Sequence, residues 1–218
     1  MAPTSHPLAD LRVLDLTDGR GDLCGRLLAD FGADVLRIEP PEGVESRRRA
    51  PFGPDGSSLH FAVRNSNKRS AVLDLQNPEA VRDRETFLAR VADADVVVES
   101  WTPGTLDRLG LGPDVLLAAN PELVVASLTD FGQTGPDRDL ASTDDVVFAL
   151  SGWQSLSGVP DKPPLLLPGS IASDTVGILG AFAVLVALVH RARGAGGQHL
   201  DVSALEAVSQ MNTWGLAN

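Results

Sequence analysis

The stretch LRVLDLTDGRGDLCGRLLADFGADVLRIE, residues 11–39, decides the fold because its apolar residues switch between two periodicities. An apolar run typical of a buried strand leads through a glycine-rich turn into a helix-like segment, and Gly32 separates that segment from a second apolar run. These four parts occupy 11–17, 18–21, 22–31 and 33–39. Strand, turn, helix and strand in this order predict a parallel βαβ unit.

The same alternation continues to residue 129, with further apolar runs separated by helical segments. The predicted strands are 70–75, 95–100 and 122–129, and the predicted helices are 79–92, 105–109 and 113–119. Strands that alternate with helices form parallel sheets with helices on both faces. We therefore predict an α/β fold built on a doubly wound, Rossmann-like, mostly parallel sheet.

The chain changes character after residue 130, where turn-forming residues replace the regular alternation. We predict a helix, a proline-rich loop, a long apolar helix, a strand and a last helix that opens with a capping box of Ser203 and Glu206. The first four of these are expected at 142–151, 159–169, 175–193 and 199–203. The uncharged apolar run 175–189 is shorter than the roughly 18 residues of a membrane-spanning helix, so we interpret it as a core helix.

Composition narrows the class of partner and the compartment. The 29 acidic and 18 basic residues give a net charge of -11, which argues against a nucleic-acid partner. The single cysteine, Cys24, excludes an internal disulfide, and its helical position favours a small core residue over a nucleophile. The cysteines and histidines have no metal-ligand spacing, and no histidine has a nearby catalytic pattern. The N-terminal residues lack a signal-peptide pattern, so we predict a cytoplasmic protein without a membrane partner.

Asp174 stands directly before the long apolar helix and after the stretch GSIAS, residues 169–173. Free amides and the helix dipole at such a place stabilise a carboxylate in its ionised form, which suits a nucleophile at neutral pH. An aspartate at a helix start is also a common structural cap, so position alone leaves both roles open.

Two other clusters suggest phosphate binding and have simple structural alternatives. Gly19-Arg20-Gly21, between a strand and a helix, resembles a dinucleotide turn, and Glu39 ends the second strand where such folds hold a ribose. Asp18 and Asp22 flank that turn and would repel a pyrophosphate. The basic run Asn67-Lys68-Arg69 also precedes a strand, and for this run we favour a solvated loop.

Six segments together resemble the family III CoA-transferases over residues 8–217. They are LADLRVLDLT (8–17), LLADFGADVLRIEPPEG (27–43), NSNKRSAVLDL (65–75), ADVVVESWTPGTLDRLGLG (94–112), NPELVVASLTDFGQTGP (120–136) and RGAGGQHLDVSALEA (193–207). The resemblance lies in their order and spacing. It assigns residues 8–218 to the N-terminal part of the family's large domain, with a Rossmann-like core at 8–130 and an aspartate-bearing segment at 131–218. We expect the family's small domain and C-terminal part to be absent from this chain.

The resemblance implies that Asp174 carries CoA covalently between an acyl-CoA and a free carboxylic acid. The carboxylate attacks the thioester to form a mixed anhydride, and the CoA thiolate then converts it into an aspartyl-CoA thioester. Coenzyme A is thus a substrate, and neither a metal nor a permanently bound cofactor is implied. The implied CoA contacts are Arg20 and Gly21 at the pantetheine arm, Leu73, Asp74, Leu75 and Gln76 along the nucleotide, and Ser100, Trp101, Thr102 and Arg108 around adenine and phosphates.

Three alternatives stay open. The related α-methylacyl-CoA racemases share the fold and use a histidine base, but Thr143 stands at that position here and threonine does not serve as such a base. The chain is alternatively a non-catalytic or split fragment, since family members are commonly nearly twice as long and form interlocked dimers. We therefore expect a homodimer or a complementary C-terminal chain as its protein partner. A dinucleotide-binding protein is the third alternative.

Overall fold

A computed structural model describes residues 6–159 and 161–212. One six-stranded sheet has the order β3-β2-β1-β4-β5-β6, and each neighbouring pair is parallel. The strands are β1 Arg12–Leu16, β2 Asp34–Glu39, β3 Arg69–Val72, β4 Val96–Glu99, β5 Val124–Thr129 and β6 Gln198–Ser203. This order is that of a Rossmann-type sheet, which confirms the predicted fold class.

Helices cover both faces of the sheet. They are α1 Asp22–Asp30, α2 Leu59–Arg64, α3 Val81–Val91, α4 Thr105–Arg108, α5 Pro113–Ala119, α6 Asp144–Leu150, α7 Ile171–His190 and α8 Ala204–Met211. Short 3₁₀ turns at Glu45–Arg48 and Trp153–Leu156 and a π-helical end at Arg191–Ala195 complete the described helices. One apolar layer packs α1, α7 and α8 against the sheet, and a second packs α3 and α5 against the opposite face.

The central strands β4 and β5 form because their residues are mostly apolar on both faces. All six residues of β5 and all four of β4 are buried, as expected for central strands that helices cover on both sides. One strand differs from its predicted bounds by more than two residues, and the place of another in the sheet was not predicted. β3 ends at Val72, three residues earlier than predicted, and β6 from the later part of the chain joins β5 at the edge of the sheet.

The helix α7 begins at Ile171, so the prediction of a start near residue 175 was wrong. Asp174 lies in its first turn, and its amide already donates to Ser170 O at 2.8 Å. Small residues bring α7 close to α1, because a Cβ on Gly177 would lie only 2.9 Å from Leu23 Cβ. The opposite face exposes apolar residues, among them Phe182 at 62%.

By length and composition, the stretch Ile171–Ala195 is apolar enough to cross a membrane, and it is the one such helix among the described residues. The predicted run 175–189 is shorter because it leaves out the first and last turns. In the structure the small-residue face of α7 packs on α1, β5 and α8, which is the arrangement of a core helix.

Two local predictions have different outcomes. The last helix begins as predicted, since Ser203 Oγ accepts a hydrogen bond of 3.4 Å from the Glu206 amide. The helix α2 was not predicted. Ser58 caps it by accepting from the Phe61 amide, and none of its residues is fully buried, so it carries no strong apolar periodicity.

Candidate active site

The carboxyl ends of β1 and β4 meet where the strand order reverses, and the loops after both strands lie there. Open α/β sheets bind ligands at such a point because neighbouring loops diverge from it. The Asp18 amide donates to Ser100 Oγ at 3.0 Å, so the two loops are joined by a hydrogen bond. The site residues expected in these loops are therefore neighbours in space.

A cavity of about 270 Å³ opens at this edge beside the end of β3. Its lining includes the expected nucleotide contacts Leu73, Asp74, Leu75 and Gln76, together with Trp101. Because β3 ends at Val72, these four residues form a loop at the carboxyl edge. Leu75 is buried in the core, whereas Gln76 is exposed to the cavity mouth.

A second cavity of about 320 Å³ lies next to Trp101. Its lining includes Arg20, Ser100, Trp101, Thr102, Asp130 and Arg138. Trp101 lines both cavities, so the two cavities adjoin at this residue. Eight of the ten expected CoA contacts thus line one continuous region of the carboxyl edge.

Gly21 and Arg108 lie outside both cavity linings. Gly21 is buried with φ at +78°, and a Cβ there would lie 2.6 Å from Leu128 Cδ1, so close packing requires a glycine. Arg108 is exposed, and its Nη2 donates to Thr105 Oγ1 at 2.7 Å. Its guanidinium and that of Arg138 both approach Gly104.

Asp174 is the one expected catalytic residue, and its carboxylate is about one third exposed. The structure adds a partner that sequence reasoning missed. Arg64, at the end of α2, donates from Nε to Oδ1 at 2.8 Å and from Nη2 to Oδ2 at 2.6 Å. This bidentate pair fixes the plane of the carboxylate. His60 Nδ1 lies 3.2 Å from Arg64 Nη1 on the other side of the guanidinium.

The pKa of His60 is lowered from its ordinary value, chiefly by burial and then by the positive charges of Arg64 and Arg49. A neutral imidazole whose Nδ1 accepts from the guanidinium is the form that fits this contact. His60 therefore supports Arg64 without adding a competing charge.

Arg20 connects the second cavity with the start of α7. Its Nη1 lies 3.4 Å from both Asp144 Oδ1 and Ser173 Oγ, and its Nε pairs with Asp130. Asp144 in turn accepts from the Ser173 amide at 3.1 Å and from Ser173 Oγ at 2.7 Å. The residue next to Asp174 is thus tied to the expected pantetheine contact.

A cluster of buried, charged side chains lies next to the site. Lys68 Nζ, with a side chain 1% exposed, donates to Asp15 Oδ2 at 2.6 Å and to Asn65 Oδ1 at 2.8 Å. Arg37 pairs with Asp22 at 3.1 Å. Burial by itself would raise the pKa of Asp15, but Lys68 and Arg37 hold it below its ordinary value.

The expectation that the basic run 67–69 is a solvated loop was wrong for Lys68, whose side chain is buried and joins the loop before β3 to the end of β1. Arg69 and Asn67 are exposed and bind Asp34 and Asp30. The Lys68 side chain is buried because the Asp15 carboxylate, which has lost its contact with water, needs a positively charged partner.

Glu99 ends β4 beneath Ser100 and Trp101 and is 3% exposed. Burial raises the pKa of Glu99 from 4.5 to about 7, although hydrogen bonds from Ser127 and from the Trp101 amide act in the opposite direction. A carboxyl group at this position is therefore partly protonated near neutral pH.

Glu39, the acid that suggested dinucleotide binding, and Asp22, the acid that argued against it, both have partners within the protein. Glu39 is buried and accepts from Arg47 Nε at 2.6 Å and from Ser70 Oγ at 2.7 Å, so it is not free for a ribose. Asp22 is buried in the first turn of α1 and bonds with Thr17 Oγ1 at 2.8 Å. A carboxylate thus occupies the helix end that would hold a pyrophosphate.

Cys24 is a core residue, as predicted, since it is fully buried and burial raises the pKa of its thiol to about 12. In the described ranges 6–159 and 161–212, no group of three or more His, Cys, Asp or Glu side chains is arranged to hold a metal ion. Thr143 Oγ1 accepts from the Val146 amide at 3.4 Å and caps α6.

Arg64, Arg138 and Arg48 were missed by sequence reasoning. The run of three arginines at 47–49 was a signal for Arg48, which lines the first cavity. Arg138 follows the turn FGQTGP, which was recognised only as a turn. No local pattern indicated Arg64, because its partner lies 110 residues away.

Known protein families and proteins include clear relatives of this chain. The sequence profile described as CoA-transferase family III matches residues 8–218. The succinyl-CoA–L-malate CoA-transferase beta subunit of Chloroflexus aurantiacus is 40% identical over 211 residues, which are 94% of this chain and 51% of that protein. The succinate–glutarate CoA-transferase of Agrobacterium fabrum is 38% identical over 93% of this chain and 52% of its own length.

Solved structures resemble the fold over nearly the whole chain. A CaiB/BaiF family protein from Brucella suis has a TM-score of 0.91 at 34% identity and covers 98% of this chain, which matches 57% of that one. The Rv3272 protein of Mycobacterium tuberculosis has a TM-score of 0.88 at 33% identity, with 97% and 58% covered. The chain spans about half the length of the curated relatives quoted above. On the profile match and these identities, the chain belongs to CoA-transferase family III.

Proposed function

We propose that this chain transfers coenzyme A from an acyl-CoA thioester to a free carboxylic acid, with the Asp174 carboxylate as covalent carrier. The observation that carries the proposal is the position of Asp174. It lies in the first turn of α7, one third exposed, and its neighbour Ser173 contacts Arg20, which lines a cavity at the carboxyl edge. The family membership supports the reaction class.

In the proposed reaction, an Asp174 oxygen attacks the acyl-CoA carbonyl carbon and the C–S bond breaks, giving a mixed anhydride and CoA thiolate. The thiolate attacks the Asp174 carbonyl carbon, and the donor acid leaves as a carboxylate. The two steps then run in reverse with the acceptor acid. Each step exchanges one anion for another, so the reaction needs neither net proton transfer nor redox chemistry.

We propose that CoA lies along the carboxyl edge of the sheet. The nucleotide lies beside Leu73–Gln76, while Ser100–Thr102 and Arg108 contact adenine and phosphates. The pantetheine arm passes Arg20 and the backbone of Gly21 towards Asp174. The hydrogen bond between Arg20 and Ser173 supports this path, since it joins the cavity to the start of α7.

We further propose the wider setting of the reaction. Residues 8–130 bind the nucleotide, and 131–218 bring Asp174 to it. The protein acts in the cytoplasm, as a homodimer or with a complementary C-terminal chain. A metal or permanently bound cofactor plays no part in the proposed steps.

The racemase alternative receives less support from the site. Proton abstraction needs a base at the position of Thr143, whose hydroxyl instead caps α6. The dinucleotide alternative is weakened because Glu39 and Asp22 are buried and already accept hydrogen bonds from other side chains.

The proposal predicts a covalent adduct that hydroxylamine traps. The protein is incubated with succinyl-CoA as probe and then with hydroxylamine, and mass spectrometry maps any hydroxamate. We expect the modification at Asp174 and its loss in Asp174→Asn. The matched control is Asp145→Asn, which changes an exposed carboxylate in the first turn of α6 and should leave the adduct intact. Folded protein without a modified Asp174 would disprove the covalent role.

A further inference from the structure

We infer that Arg64 binds the carboxylate of the acid substrate while Asp174 carries CoA, an inference that rests on the proposed function. The starting geometry is the bidentate pair, with both carboxylate oxygens of Asp174 on one guanidinium at 2.8 and 2.6 Å. An arginine that grips a carboxylate in this way is matched to the shape and charge of any other carboxylate.

The chemistry of the cycle removes the partner of Arg64. Conversion of Asp174 into an anhydride or a thioester replaces its negative charge with a neutral acyl group. The Arg64 side chain is only 15% exposed, so water compensates poorly for the lost charge. Among the described residues, Asp174 is the one acid within salt-bridge distance of Arg64.

The remaining nitrogen of the Arg64 guanidinium, Nη1, contacts a neutral group. His60 Nδ1 lies 3.2 Å from Arg64 Nη1, and burial together with nearby arginines lowers the pKa of His60. His60 therefore keeps the guanidinium in place but does not supply the missing negative charge. An incoming carboxylate supplies that negative charge and matches the guanidinium in shape.

The acceptor acid supplies that anion at the place where it must react. Its carboxylate oxygen attacks the Asp174 carbonyl carbon, the C–S bond breaks, and CoA leaves as thiolate. The thiolate then attacks the acceptor carbonyl carbon, and the Asp174 carboxylate is released back onto Arg64. Because Arg64 already contacts both Asp174 oxygens, an acid bound to it lies within reach of the reacting carbon.

Arg64 thereby distinguishes an acid from a neutral nucleophile. A carboxylate gains the guanidinium contact, whereas water and hydroxylamine do not. In the resting protein Asp174 itself occupies Arg64, so a free acid binds well only after Asp174 has been acylated. The pair therefore favours acyl-CoA first and acid second.

The first experiment compares two nucleophiles on the isolated Asp174–CoA adduct of the complete protein. We measure second-order rate constants for succinate and for neutral hydroxylamine, and take their ratio. In Arg64→Gln we expect this ratio to fall at least tenfold, with a smaller fall in Arg64→Lys. The control Arg69→Gln alters an exposed arginine paired with Asp34 and should leave the ratio unchanged. An unchanged ratio in Arg64→Gln overturns the inference.

A second experiment needs no catalytic turnover. Asp174→Asn imitates the neutral, acylated carrier, so Arg64 is free to bind an added acid. We expect succinate to bind Asp174→Asn at least tenfold more tightly than the unsubstituted protein, a difference of about 1.4 kcal/mol. The gain should vanish when Arg64→Gln is added. Equal affinity in Asp174→Asn and the unsubstituted protein overturns the inference even where Arg64→Gln forms no adduct.

The two proposals fail in different ways. Absence of any Asp174 adduct in the unsubstituted protein overturns the proposed function and the inference with it. An adduct that forms normally, together with an unchanged nucleophile ratio in Arg64→Gln, overturns only the role of Arg64.

Discussion

Replacement of Glu99 by glutamine should stabilise the protein at alkaline pH and change little at acidic pH. Glu99 is 3% exposed at the end of β4, where burial raises its pKa from 4.5 to about 7. Between these two pH values the folded protein holds a proton that the unfolded chain has released. The free energy of unfolding therefore falls as pH rises from 4.5 to 7 and stays lower above that range.

The magnitude follows from the two pKa values. One pKa unit corresponds to 1.36 kcal/mol, so a change from 4.5 to about 7 is worth roughly 3 kcal/mol. Glutamine has the shape of the protonated acid and keeps an acceptor for the Trp101 amide, which donates to Glu99 Oε2 at 2.8 Å. We expect Glu99→Gln to be about 3 kcal/mol more stable than the unsubstituted protein at pH 8, and within about 1 kcal/mol of it at pH 5.

Urea unfolding at both pH values measures the difference directly, since all other titrating groups are shared by the two proteins. The control is Glu85→Gln, which changes an exposed carboxylate on α3 and should change the free energy of unfolding little. A stability difference for Glu99→Gln that is the same at pH 5 and pH 8 would refute the assigned cause.

One further prediction concerns the buried ion pair of Lys68, and another concerns the packing of α7 on α1. Lys68→Met should lower the free energy of unfolding by roughly 3 to 5 kcal/mol, measured by urea unfolding, because it leaves the Asp15 carboxylate buried without its closest cation; a loss below about 1 kcal/mol would contradict the buried pairing. Gly177→Val should lower the free energy of unfolding by about 1 to 3 kcal/mol, and the melting temperature with it. The reason is that a Cβ at residue 177 would lie 2.9 Å from Leu23 Cβ and 3.1 Å from Cys24 N. The comparison is Val186→Ala on the exposed face of α7, which should shift the melting temperature much less.

The strands and the long helices were predictable because their signals are local. Residues 11–39 contain a complete strand, turn, helix and strand, and the structure places these elements within one or two residues of the predicted bounds. The predicted boundaries of helices and strands were wrong where tertiary contacts determine them. The start of α7 is earlier than predicted because Asp144, from another helix, accepts from the Ser173 amide in its first turn.

The site was predictable only in part. Leu73–Gln76 and Ser100–Thr102 follow apolar runs, and the ends of parallel strands meet at one edge, so resemblance and topology together indicated the cavity region. Lys68 was interpreted as solvated because exposed lysines are common, and only the fold shows the buried Asp15 carboxylate and the Asp22 carbonyl oxygen around its ammonium group.

By itself the sequence determined the α/β class, the strand content and Asp174 as a carboxylate near a helix start, since these depend on periodicity and neighbours along the chain. Only the tertiary structure decided what surrounds that carboxylate. Arg64 lies 110 residues from Asp174, and Arg20 lies 153 residues from Ser173. Side-chain contacts at such separations form when helices and loops pack on a common sheet, and no local pattern of residues contains that information.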